Sequence, residues 1–97
     1  MARRRFVVAY DICDSTRLRR VHKTMKAFGY ALQYSVFICD LDPSEKITMV
    51  QEVGDIINHH QDSIAIIDVG EADRRGRECF EFMGTNRNLP VSGPQVF

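Results

Sequence analysis

The sequence predicts an α+β domain in which two helices cover one face of an antiparallel sheet, and three observations lead there. Short β-rich runs occur at Arg5 to Ile12, Tyr30 to Leu41 and Ser63 to Val69. Two segments between them carry apolar residues at helical spacing. The order they give is β-α-β(β)-α-β-β, and strands separated by helices must return with right-handed crossovers. This is the ferredoxin-like, split β-α-β arrangement. A chain of 97 residues with 44% hydrophobic types has room for one such core, so residues 1–97 are read as a single domain.

The first strand runs from Arg5 to Ile12, apolar in both alternating sets: Phe6, Val8 and Tyr10 on one face, Val7 and Ala9 on the other. Such a strand needs cover on both sides. Asp14 or Ser15 then caps a helix whose apolar positions are Leu18, Val21, Met25 and Phe28, with Gly29 at the expected C′ position. From Tyr30 to Leu41 the chain is β-rich again. Its polar centre, Gln33-Tyr34-Ser35, predicts either a bend or two short strands parted near Ser35. Asp42-Pro43-Ser44-Glu45 is a helix start with Asp as N-cap, Pro at N1 and Glu at N3. Ile47, Val50, Val53 and Ile57 form the predicted buried stripe, and the helix is expected to end near His59. Ser63 to Val69 reads as a strand, Gly70 to Arg77 as a charged loop or short turn, and Cys79 to Met83 as a further strand. Residues 85–97, with Pro90 and Pro94, read as an extended carboxy-terminal arm able to add an edge strand to a partner, or as a frayed terminus.

With both helices on one face, Val7 and Ala9 leave the other face apolar, and pairing of two copies through that face is the economical way to cover it. The chain is thus expected to form a homodimer. Its amino-terminal run is too soon interrupted by Asp11 for a signal peptide or a membrane span, so no membrane is expected and the cytoplasm is the expected location. Cys13, Cys39 and Cys79 show no CxxC pairing and read as reduced packing residues.

The formal net charge is zero, but the charge is unevenly placed. Residues 1–30 hold eight Arg or Lys against Asp11 and Asp14, and the remainder holds five against eleven. A phosphate backbone responds to local potential, so the basic third is a candidate nucleic-acid surface. Arg19, Lys23 and Lys26 fall at i, i+4 and i+7 on the first helix, with Arg17 and Arg20 on the other flank of its exposed arc. Arg3, Arg4 and Arg5 would extend that surface. Asp11, held where a strand meets a loop into a helix, either caps that loop or serves as a metal ligand; capping by Asp14 would leave it free. One carboxylate makes a poor magnesium site, whereas two Asp11 side chains across a dimer axis would serve.

Tyr10, Tyr34 and Phe37 are either base-stacking residues or, as aromatics in short strands commonly are, core. Ser35 has no visible His and Asp arrangement to make it a nucleophile. His22, His59 and His60 lack zinc-helix spacing, and no P-loop or GxGxxG motif is present.

Val7-Val8-Ala9-Tyr10-Asp11-Ile12, Arg19-Arg20-Val21, Phe28-Gly29-Tyr30 and Gln33-Tyr34-Ser35-Val36-Phe37 follow one another in an order and spacing that resembles the Cas-two family of CRISPR-associated proteins. The resemblance implies a ferredoxin-like homodimer in which Asp11 faces its mate and binds a divalent ion, usually magnesium. It implies two activities side by side: metal-dependent cleavage of RNA or DNA, with Asp11 catalytic, and an architectural role in spacer acquisition. In the latter the dimer joins the Cas-one integrase and holds double-stranded DNA by its backbone through Arg17, Arg19, Arg20 and Lys23. Tyr10, Ser35 and Phe37 belong to the motif. The sequence departs from the family where an Arg commonly stands two positions before the Gln, here Ala31, and where some members carry Arg at Leu18. The rival reading is a toxin-like ribonuclease of the same fold.

Overall fold

The computed structural model describes residues 3–84. The order is β1 (Arg4–Asp11), α1 (Ser15–Met25), β2 (Tyr30–Gln33), β3 (Val36–Leu41), α2 (Pro43–Ile56), β4 (Ser63–Glu71) and a short α3 (Arg75–Glu78). The four strands form one sheet in the order β2-β3-β1-β4, with every neighbouring pair antiparallel. This is the expected split β-α-β topology, with β1 in the middle. The polar centre at Tyr34 and Ser35 resolves into a turn between two strands rather than a bend in one.

On the helix-covered face Phe6 pairs with Cys39 and Val8 with Phe37. These residues, with Tyr10, pack against Val21 and Met25 of α1 and Met49 and Val53 of α2, all buried. Asp14 is the N-cap of α1, its side chain accepting the amide of Arg17. Asp42 and Glu45 form a reciprocal capping box on α2 behind Pro43. The amide of Glu45, followed by the hydroxyl of Ser44, holds the Asp42 carboxyl below the usual range.

Four details differ from expectation. The buried stripe of α2 is Met49 and Val53, with Ile56 and Ile57 packed against the core, while Ile47 and Val50 are 59% and 45% exposed. Met49 and Val53, four residues apart, share the helix face that packs into the core. The helix also ends at Ile56, before His59. Gly29 is not a left-handed cap: α1 ends at Met25 with Lys26 as C-cap, and a Cβ at Gly29 would overlap the carbonyl oxygen of Ile38 and the sulfur of Cys39. Its smallness admits a close approach to β3. Finally, Cys79–Met83 is not a strand. Positive φ at Gly70 and the α3 turn carry the chain off the β4 edge, so no ladder forms there. The expected arm at 85–97 lies outside the described residues.

On the second face Val7 pairs with Ile38 and Ile67, and Ala9 with Val36 and Ala65. At one end α3 lies over this face: Gly76 is buried and its carbonyl accepts from Arg5 at 3.2 Å. Toward the other end the face is open, with Ala65 exposed and Ile67 50% exposed.

Candidate nucleic-acid interface

The eight basic residues of the amino-terminal third divide into two groups once folded. Arg5 is fully buried on the second face of the sheet, with Nε and Nη2 bonded to the two oxygens of Asp40 at 2.7 and 2.9 Å. Arg4 pairs with Asp68 at 2.8 Å, and Arg3 pairs with Glu45 and donates to the carbonyl of Asp40. The expectation that Arg3 to Arg5 extend a phosphate-binding surface is therefore corrected: each is paired to an acid, Asp40 and Asp68 from neighbouring strands and Glu45 from the first turn of α2. Arg17 is likewise engaged. Its Nε and Nη2 reach Asp62 at 2.8 and 3.2 Å, and Nη2 also reaches Gln61.

Asp62 is the centre of that arrangement. Its side chain is fully buried and accepts, besides Arg17, the amides of Asn58 at 2.8 Å and Cys13 at 2.9 Å. The Arg17 guanidinium foremost, then these amides, hold its carboxyl well below the usual carboxylate range. The reciprocal bond raises the Arg17 guanidinium. The Asn58 amide is a local partner, but nothing in the sequence around Asp62 signals the other two, since Arg17 and Cys13 lie about half the chain away.

Four cations are left. Arg19, Arg20, Lys23 and Lys26 are exposed on α1 and take part in no ion pair among the described residues. They form a basic surface on one helix, with no acid in its first turn and His22 and Lys23 in its last.

Asp11 closes β1, opposite Ser63 of β4 and on the same face as Ala9. It is exposed, and its carboxylate has no hydrogen bond or ion pair among the described residues, because Asp14 caps α1 and Asp62 takes the loop amide. The described residues contain no group of three or more His, Cys, Asp or Glu that would hold a metal ion. The donor set therefore fits half of a magnesium site: one free, rigidly placed carboxylate at the end of the open apolar face, needing a second carboxylate or phosphate oxygens.

The aromatic residues of the motif separate by role. Tyr10 and Phe37 are core. The Tyr10 hydroxyl donates to the carbonyl of Tyr34 at 2.7 Å, and burial, with the neighbouring Tyr34, pushes it up to about 12. Ser35 contributes its carbonyl, which accepts the Tyr10 amide at 3.0 Å. Tyr34 itself is exposed and stacks on His22, which is half-buried. His59 and His60 are exposed.

A family model described as CRISPR associated protein Cas2 matches residues 4–77, which includes every strand of the sheet. The chain belongs to the Cas2 family. It is 44% identical over 68 residues to a CRISPR-associated endoribonuclease Cas2 of Geobacter sulfurreducens, covering 70% of this chain and 72% of that one. A relative of the same description from Rhodospirillum rubrum is 43% identical over 68 residues, covering 70% and 67%. The crystal structure of Streptococcus pyogenes Cas2 superposes with a TM-score of 0.73 at 28% identity, covering 82% of this chain and 99% of that one. The Cas2 motifs quoted from the sequence lie within the matched span, and Ala31 and Leu18 stand in it as departures. No helix among the described residues is long and apolar enough to cross a membrane.

Proposed function

We propose that this Cas2 chain acts in CRISPR adaptation as a homodimer, binding duplex nucleic acid by its backbone along α1 and joining the Cas-one integrase. The observation that carries the reading is the division of the basic residues. Arg3, Arg4, Arg5 and Arg17 are held by internal acids, while Arg19, Arg20 and Lys23 on α1 and Lys26 at its C-cap have no ion pair among the described residues. Contacts of this kind position a duplex without reading its sequence. The open apolar face of Val7, Ala9, Ala65 and Ile67 supports pairing of two copies there.

A second activity, metal-dependent phosphodiester cleavage, is favoured by the free carboxylate of Asp11 and by the endoribonuclease names of the relatives. Asp11 from each copy would hold the ion where the two faces pair with their Asp11 ends together. Magnesium, when bound, supplies a Lewis acid and an activated water for hydrolysis. The family match does not favour the toxin-like alternative.

The test is binding and cleavage of duplex DNA and of RNA by the wild type, Asp11→Ala and Arg19→Glu/Lys23→Glu, with magnesium or EDTA. Backbone binding predicts that charge reversal abolishes retention of the duplex while Asp11→Ala retains it. Cleavage lost in both Asp11→Ala and EDTA assigns hydrolysis to Asp11; absence of cleavage throughout leaves the architectural role alone. Unchanged binding by the charge-reversed variant removes α1 from the interface.

A further inference from the structure

The turn between β2 and β3 carries a feature that backbone binding to a duplex does not use. Tyr34 is 52% exposed, and its ring lies parallel to that of His22, with 4.1 Å between centroids and 6° between planes. An exposed tyrosine on a turn normally samples several rotamers, but this one sits on a fixed base. The Tyr10 hydroxyl donates to the Tyr34 carbonyl at 2.7 Å, the Tyr10 amide donates to the neighbouring Ser35 carbonyl at 3.0 Å, and His22 Nδ1 lies 2.9 Å from the Tyr34 carbonyl. His22 in turn meets the ring of buried Phe37 edge-on, at 5.3 Å and 68°. The stack is thereby built up from the core, with His22 beneath one face of Tyr34 and the ring's exposed area left outside it.

Its position is the second observation. His22 is three residues after Arg19 and four before Lys26, so the three share one row of α1. His22, the base of the stack, therefore lies in line with two of the exposed cations, Arg19 on α1 and Lys26 at its C-cap.

We propose that Tyr34 is a stacking platform for an unpaired base of nucleic acid, with Arg19 and Lys26 holding phosphates on either side of it. A flat aromatic face beside basic side chains is the arrangement by which proteins hold single strands irrespective of sequence. Bases inside a duplex are already stacked on one another, so the ligand class is a single strand, or a duplex that ends in unpaired nucleotides. The inference rests on α1 being the phosphate-binding surface and adds to it a preference for unpaired ends.

The experiment measures binding of the full chain to a blunt DNA duplex and to the same duplex with single-stranded tails carrying 2-aminopurine, whose fluorescence falls on stacking. Wild type, Tyr34→Leu, Tyr34→Phe and Arg19→Glu are compared. The expected result is that tails tighten binding by the wild type and quench the probe. Tyr34→Leu loses roughly tenfold in affinity for the tailed duplex, with the quench, and keeps its affinity for the blunt one. Tyr34→Phe, which retains the ring, behaves as wild type, and Arg19→Glu weakens both complexes. The platform is overturned if Tyr34→Leu binds and quenches like the wild type. It is equally overturned if that variant loses affinity for both duplexes alike, which marks a structural role for the turn. If the wild type binds neither duplex, the reading of α1 as the phosphate-binding surface fails instead.

Discussion

Asp62 and Arg5 show how much of this chain's charge is spent internally, and each gives a test at a single position. Three donors favour the ionised form of Asp62, so its folded pKa lies below its unfolded value. The stabilisation is then fully present above the unfolded carboxylate range near pH 4 and is lost as pH falls through that range toward the folded pKa. Asp62→Asn is expected to lower the melting temperature at pH 7 and to flatten the acid limb of the stability profile, measured by thermal melts across pH 2–7. An unaltered acid limb would take Asp62 out of that account. Arg5 is the converse case, a fully buried cation matched by Asp40 and the Gly76 carbonyl. Arg5→Met leaves Asp40 without its partner and is expected to cost about 3 kcal/mol in denaturant titration. Arg5→Met combined with Asp40→Leu should recover much of that loss. Neither pairing was legible in the sequence, because an arginine in a basic run looks solvated until registry places an acid beside it, 35 residues away for Arg5 and Asp40. Asp14 was legible: a cap is a local interaction, and its engagement leaves Asp11 exposed.

At the scale of elements, what could be read was what is encoded locally. The capping box of α2 appears in the four letters from Asp42 to Glu45, and the stripe of α1, Val21 and Met25 with Leu18 and Phe28 beside them, lies where its spacing puts it. The stripe of α2 was misphased because its apolar residues occur all round the helix, and only packing decides that Met49 faces the sheet while Ile47 does not. The two glycines near these helices are constrained differently. Gly29 lies against β3, and Gly29→Ala must push Ile38 backbone aside, at an expected cost of about 1–3 kcal/mol. Gly54 sits inside α2 with nothing within 4 Å of where its Cβ would be, so Gly54→Ala is expected to stabilise by about 0.5–1 kcal/mol through helix propensity. Measuring both by chemical denaturation separates a glycine required by close packing from one that is not. A stabilising Gly29→Ala would contradict the close approach.

For the whole molecule, equal numbers of acidic and basic residues conceal a surface that is strongly positive in one place. The lopsided charge of the sequence overstated the exposed basic surface, since four of the eight cations in its first third are paired to acids in the fold. What remains on α1 makes a quantitative demand. Each phosphate neutralised by a cation releases condensed counterions, so the logarithm of duplex affinity falls against the logarithm of salt concentration by about 0.9 per contact. Replacing Arg19 and Lys23 with glutamine removes two unpaired charges per copy while leaving the internal pairs intact. The salt dependence should then become shallower by about 1.8 for one copy engaged, or about 3.6 if both α1 helices of a dimer touch the same duplex. Arg4→Gln serves as the contrast, because that guanidinium is already held by Asp68 and should change the slope little. Ile67→Asp, placed on the open sheet face, separates the remaining alternatives: if pairing through that face brings two basic helices to one duplex, this variant sediments as a monomer and shows about half the wild-type slope. A variant that remains dimeric, with the full slope, would place the second copy elsewhere on the molecule.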